Sequence, residues 1–140
     1  MDATRVFPAE PKNLTSLRRF VKQAAEALQA DREVIEDMIL AVDEAVTNII
    51  VHGYAGRPGD IEVRVSLEQQ DLVVRISDRA PLFDPTEVPP PDLSMPLEQR
   101  RFGGLGVHFT RQFVDEVTYC EAPEGCNELT LRKAARAGSR

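Results

Sequence analysis

Apolar and polar positions along the chain switch between two rhythms. A short apolar stretch at Thr4–Phe7 reads as a first strand, ended by Pro8 and Pro11. Leu14, Leu17, Phe20, Val21, Ala24 and Leu28 then recur with the 3.6-residue period of a helix that Asn13 can cap. A second helical pattern runs through Ile35, Met38, Ile39, Val42 and Val46 to about His52. Asp31 can cap its start, Glu33 and Glu36 lie near its positive end, and Gly53 closes it. After the turn Arg57-Pro58-Gly59-Asp60 the period becomes two: Ile61, Val63, Val65 and Leu67 alternate with polar residues. A hairpin connection at Gln69–Asp71 leads to Leu72–Ile76, a more apolar and therefore more central strand, ending in Ser77-Asp78.

From Arg79 to Phe102 periodicity is lost, and Pro81, Pro85, Pro89, Pro90, Pro91 and Pro96 fall within this segment. A long aperiodic stretch inside a compact domain reads as a lid over a site or as disorder. Gly103-Gly104-Leu105-Gly106 then opens a third helix carrying Val107, Phe109, Thr110, Phe113 and Val114. Val117–Cys120 and Leu129–Leu131 read as a closing hairpin. The order predicts an α+β fold: a two-layer sandwich in which three helices cover one face of a mixed, largely antiparallel sheet. One domain over residues 1–133 is expected, with a lid at about 79–102 and a basic, disordered tail at 134–140.

Composition narrows the partners. The chain has 140 residues and a net charge of −6, against broad contact with nucleic acid or an anionic membrane. Arg132, Lys133, Arg136 and Arg140 read as a solvated basic end. No apolar run approaches the roughly 18 residues of a membrane span, and no signal peptide opens the chain, so a cytoplasmic location is expected. Cys120 and Cys126 flank a turn and read as two free thiols in a reducing compartment.

Three segments carry candidate chemistry. Glu44, Asn48 and His52 are spaced by four along the second helix and share a stripe opposite Val42, Ala45, Val46, Ile49 and Ile50. A carboxylate there can accept a proton or orient water, and a carboxamide oxygen can ligate a hard cation; the plain alternative is a solvated helix face. Asp78 at a strand end can accept from a ligand amine or simply shape a turn. Glycines before a helix let backbone N–H groups approach an anion, and Arg100 and Arg101 just before them could meet phosphates.

In this order the segments resemble the Bergerat ATP-binding fold shared by gyrase, histidine kinases and MutL. The words Glu44-Ala45-Val46-Thr47-Asn48, His52-Gly53-Tyr54, Phe83-Asp84-Pro85, Gly104-Leu105-Gly106, Val114-Asp115-Glu116-Val117 and Asn127-Glu128-Leu129-Thr130-Leu131 resemble the anti-sigma-factor serine/threonine kinases of bacterial partner-switching systems. The resemblance implies ATP and Mg²⁺ as cofactors. It implies Glu44 as the general base and Asn48 as the metal ligand. Asp78 would hold the adenine amine, supported by Thr130. Ala80, Phe83, Arg101, Gly103, Gly104, Leu105 and Gly106 complete the expected nucleotide site. It further implies a homodimer that acts on a STAS-type antagonist protein and binds a sigma factor. One departure stands out: the family has glycine two residues after the aspartate, whereas this chain has Ala80, whose methyl can crowd the purine. No phospho-accepting histidine helix precedes the domain, so a complete sensor histidine kinase is not expected. Two other readings stand beside the kinase: a non-catalytic, nucleotide-responsive binding module of the same fold, and a metal hydrolase using Glu44, Asn48 and His52.

Overall fold

The structure, a computed structural model, describes residues 2–84 and 113–138. It builds two layers. Strands β1 (Ala3–Pro8), β2 (Asp60–Glu68), β3 (Asp71–Asp78), β4 (Glu116–Glu121) and β5 (Asn127–Ala134) form one sheet in the order β1-β2-β3-β5-β4. Every pairing between them is antiparallel, so no parallel pair occurs among the described residues. Helices α1 (Leu14–Ala27) and α2 (Arg32–Asn48) cover one face. The expected α+β architecture holds. Most of the third helix, residues 107–112, and most of the lid, from residue 85 onward, lie outside the described residues; Val114 at the end of that helix is buried in the core, with Phe113 packed against it.

Alternation decides which strand residues enter the core. Register places Phe7, Ile61, Asp78 and Asn127 in one row, and Val63, Ile76 and Leu129 in the next. These rows, with Val65, Val74 and Leu131, pack against Leu17, Val21 and Ala25 of α1 and against Met38, Val42 and Val46 of α2. Most of these side chains are fully buried, each worth roughly 1.5–3 kcal/mol of transfer free energy. The rows that carry the core therefore also carry Asp78 and Asn127 inward at their ends.

Several local expectations are corrected. Neither Asn13 nor Asp31 caps its helix with its side chain. Asn13 Nδ2 donates instead to the Pro8 carbonyl at 3.0 Å, tying α1 to the end of β1. Asp31 accepts from the Ala137 N–H at 2.8 Å and from Arg136 at 3.2 Å. Residues 134–137 are accordingly held: β5 runs through Ala134, and Ala135 is buried with its N–H on the Gln70 carbonyl. The second helix does not continue as an α-helix to His52. It passes at Ile49 into a π turn, Ile49–Gly53, in which Tyr54 N–H reaches back five residues to the Ile49 carbonyl at 2.8 Å. Cys120 and Cys126 are free thiols, as expected.

Candidate functional site

A cavity of about 400 Å³ opens between the C-terminal end of α2 and the β3–β5–β4 side of the sheet. Asn48, His52, Asp78, Ala80, Phe83 and Asn127 contribute to its wall, with Arg57 and Tyr119 also reaching it. Residues that the chain separates by up to eighty positions meet here because α2 ends over the row that contains Asp78 and Asn127.

Asp78 closes β3 and is 6% exposed. Its Oδ1 accepts from the Ala80 N–H and from Asn127 Nδ2, each at 2.9 Å. Burial pushes its carboxyl above the ordinary carboxylate range, while the bonds from Asn127 and Ala80 pull the other way. Asp78 lines the cavity, where a carboxylate can accept from a ligand amine. The turn-forming and ligand-accepting roles expected as alternatives are thus compatible in one side chain.

Asn127 was not singled out by the sequence, yet it organises this end of the cavity. Its Nδ2 also points at the carbonyls of Ala80 at 3.2 Å and Pro81 at 3.3 Å. Its Oδ1 accepts from the Phe83 N–H at 3.0 Å and from the Tyr119 hydroxyl at 2.6 Å. One carboxamide therefore pins residues 80–83 to the sheet and aims Asp78. Thr130, expected to support the base from this strand, requires correction. It belongs to the alternate set of β5, pairs with Arg75, and lies on the face opposite Leu129 and Leu131, outside the cavity wall. The signal that finds Asn127 is the period-two pattern itself: it shares parity with two buried leucines.

On the helical side, Asn48 is the last residue of α2 and lines the cavity. His52 lines it from the π turn, whose wider spacing displaces it from the stripe that an uninterrupted α-helix would give. Its imidazole is pushed down to about 4 by burial against the wall. The residue as a whole is nonetheless exposed, which limits that push, and even at the ordinary imidazole value it is mostly neutral at pH 7. Glu44 lies one turn before Asn48, half-buried and outside the wall. Its neighbour Asp43 pairs with Arg18 at 2.7 Å and joins α2 to α1. Ala80 is 6% exposed, and a Cβ placed on Gly53 would fall 3.2 Å from its methyl, so that methyl stands over the helix end at the cavity wall. Arg101, Gly103, Gly104, Leu105 and Gly106 lie outside the described residues.

The donor set bears on a metal. No group of three or more His, Cys, Asp or Glu residues is placed to hold an ion among the described residues, which leaves the hydrolase reading without a ligand cluster. Asn48 fits a different arrangement. Mg²⁺ commonly takes one or two protein oxygens and completes its shell with phosphate oxygens and water. Among the described residues no helix is long and apolar enough to cross a membrane.

Known proteins bring the same architecture and sequence together. Residues 7–133 match the family model described as the histidine kinase-like ATPase domain. The serine-protein kinase RsbW of Listeria monocytogenes is 33% identical over 119 residues, covering 81% of this chain and 76% of that one. The serine-protein kinase RsbW of Bacillus cereus is 29% identical over 115 residues, covering 79% and 72%. Among solved structures, the RsbU and RsbW domains of Rv1364c from Mycobacterium tuberculosis superpose with a TM-score of 0.66 at 20% identity. That match covers 95% of this chain and 32% of the longer one, and it supports the fold alone.

Proposed function

The chain belongs to the histidine kinase-like ATPase domain family, within its branch of serine-protein kinases, and from that membership we propose an ATP-dependent serine/threonine kinase and anti-sigma factor that phosphorylates a small STAS-type antagonist in a partner-switching pathway. The observation that carries the reading is the pairing, across one cavity, of a buried acceptor at Asp78 with a carboxamide at Asn48. A purine amine satisfies the first, and a metal-bound phosphate chain satisfies the second. Phosphoryl transfer asks a protein mainly for positioning and charge neutralisation.

Each residue has a distinct task in this reading. Asp78 accepts from the amine through Oδ2 while Asn127 keeps Oδ1 fixed. Ala80 and Phe83 wall the base. Asn48 offers its oxygen to Mg²⁺, and the magnesium nucleotide, when bound, supplies the phosphoryl group. Glu44, one turn away, orients the incoming hydroxyl and takes its proton. Arg101 and the Gly103–Gly106 segment are proposed for the phosphates. A homodimer in the cytoplasm, with the antagonist and a sigma factor as competing partners, follows from the same reading.

The test is incubation of the protein with Mg-ATP and a STAS-type antagonist, followed by mass spectrometry of the antagonist. A gain of one phosphate on serine or threonine, lost in Glu44→Gln although that variant still binds ATP, is the expected result. A positioned base supplies about 10²–10⁴ in rate. Nucleotide binding without transfer to any antagonist would favour the non-catalytic binding module.

A further inference from the structure

Tyr54 has no part in the chemistry above, yet it is bonded both to the helix end and to the strand end that border the cavity. Its side chain is 6% exposed. Its backbone N–H closes the π turn on the Ile49 carbonyl at 2.8 Å. Its own carbonyl accepts from the Arg57 N–H and from Arg57 Nε, both at 3.0 Å. Its hydroxyl donates to the Asp60 carbonyl at 2.7 Å, where β2 begins. The same oxygen accepts from the Arg79 N–H at 2.8 Å, immediately after Asp78. The ring occupies the space that any side chain at position 59 would need: a Cβ there would lie 2.1 Å from Tyr54 Cε1. Gly59 is therefore a notch cut for this ring.

These bonds form a strut. One end is the helix terminus that carries Asn48 and His52; the other is the strand terminus that carries Asp78. A phenol both donates and accepts, so a single hydroxyl can tie two backbones whose polar groups face it from different sides. Arg79 N–H and Asp60 C=O are the groups it serves, and burial raises the cost of leaving them unpaired.

We propose that Tyr54 is a positioning residue that fixes the distance between the base-holding and metal-holding ends of the nucleotide site. The proposal rests on the nucleotide reading above and adds a requirement to it. A ligand that engages both ends gains from having them at a fixed separation, because the second contact is then made within an already bound molecule. A ligand that engages only one end gains nothing from the strut.

The experiment compares Mg-ADP with adenosine, titrated by calorimetry or NMR into wild type and Tyr54→Phe. Phenylalanine keeps the ring in the Gly59 notch and removes only the hydroxyl. The expected outcome is a loss of about tenfold in Mg-ADP affinity with adenosine changed by less than about threefold, a split that a general loosening of the fold would not give. Equal losses for both ligands, or no loss for either, would overturn the proposal. Wild type that binds neither ligand would instead defeat the nucleotide reading itself. Hydrogen exchange on the wild type provides a check that needs no variant. The Arg79 amide should exchange slowly and slow further with Mg-ADP but not with adenosine; an unprotected Arg79 amide in the Mg-ADP complex refutes the strut.

Discussion

Burying the Asp78 carboxylate costs free energy that its two bonds on Oδ1 offset only in part, since the group still titrates above its ordinary range. Asp78→Asn removes the charge while keeping an oxygen for Asn127 and Ala80. Its expected effect is a nucleotide affinity at least about tenfold lower, because a hydrogen bond to a charged acceptor is worth roughly 1.5–3 kcal/mol. The fold should be as stable as wild type or more so at neutral pH, and this difference should close as acid protonates Asp78, since the carboxyl is then neutral too. Calorimetry and thermal melts across pH check both halves. Asn127→Ala strands the Tyr119 hydroxyl and the Phe83 N–H. Both groups are only part-buried, so each costs less than the roughly 1–3 kcal/mol of a fully buried orphan, and the loop at 80–83 should loosen with a loss of nucleotide affinity. Thr130→Ala, on the other face of β5, should leave affinity within about twofold, a contrast that binding assays on the two variants read directly.

The strands and helices were largely legible in the sequence because their signal is periodic and comes from burial. The period-two run located β2, the apolar run Leu72–Ile76 located β3, and the 3.6-residue run located α1 to within a residue. Boundaries set by hydrogen bonds were less visible. The π turn at Ile49–Gly53 depends on what Tyr54 meets across space, and the apolar pattern is blind to that. Asn127 belongs to no chemical motif of its own; only the parity it shares with Leu129 and Leu131 marks it as inward-facing. Turn chemistry hid another feature: the β2–β3 hairpin turns through Gln69 and Gln70 at φ of 53° and 70°, left-handed values that glutamine tolerates poorly. Gln70→Gly should therefore stabilise the protein by about 0.4–1 kcal/mol or slightly more, provided the bond from Ala135 to the Gln70 carbonyl is kept. Urea unfolding with an unchanged m-value checks this.

Across the whole molecule, the face of the sheet away from the helices is held by charge. Glu68 is hydrogen-bonded to Arg75, and Arg132 reaches both Glu68 at 3.3 Å and Asp71 at 3.2 Å, linking β2, β3 and β5. Ser66 and Val73, paired with each other across β2 and β3, are buried on this face. The Arg75 guanidinium, with smaller help from Ser66 and Arg132, holds the Glu68 carboxyl down at about 2 from 4.5 despite some burial. A depressed carboxylate contributes stability that is complete above its unfolded value and is lost as pH falls toward the folded one. Glu68→Gln should therefore lower stability at neutral pH and flatten the decline between pH 4.5 and 2. The effect is discounted because the side chain is 34% exposed and solvent screens the pairs. Parallel acid titrations of the two proteins followed by circular dichroism measure it.

The sheet order β1-β2-β3-β5-β4 has a kinetic consequence. The strand that fills the place beside β3 is made after the one that ends up outside it. While β1, β2 and β3 can zip together as successive neighbours, β3 presents a bare edge until β5 arrives, and β4 must wait for β5 before it has anything to join. Asp78 sits on that waiting edge, without Asn127 opposite it. Closure over so long a stretch of chain is slow, and an unpaired apolar edge is where chains adhere to one another. Yield of native protein from dilution out of denaturant should therefore fall with concentration, and the earliest protected amides should be those shared by β2 and β3.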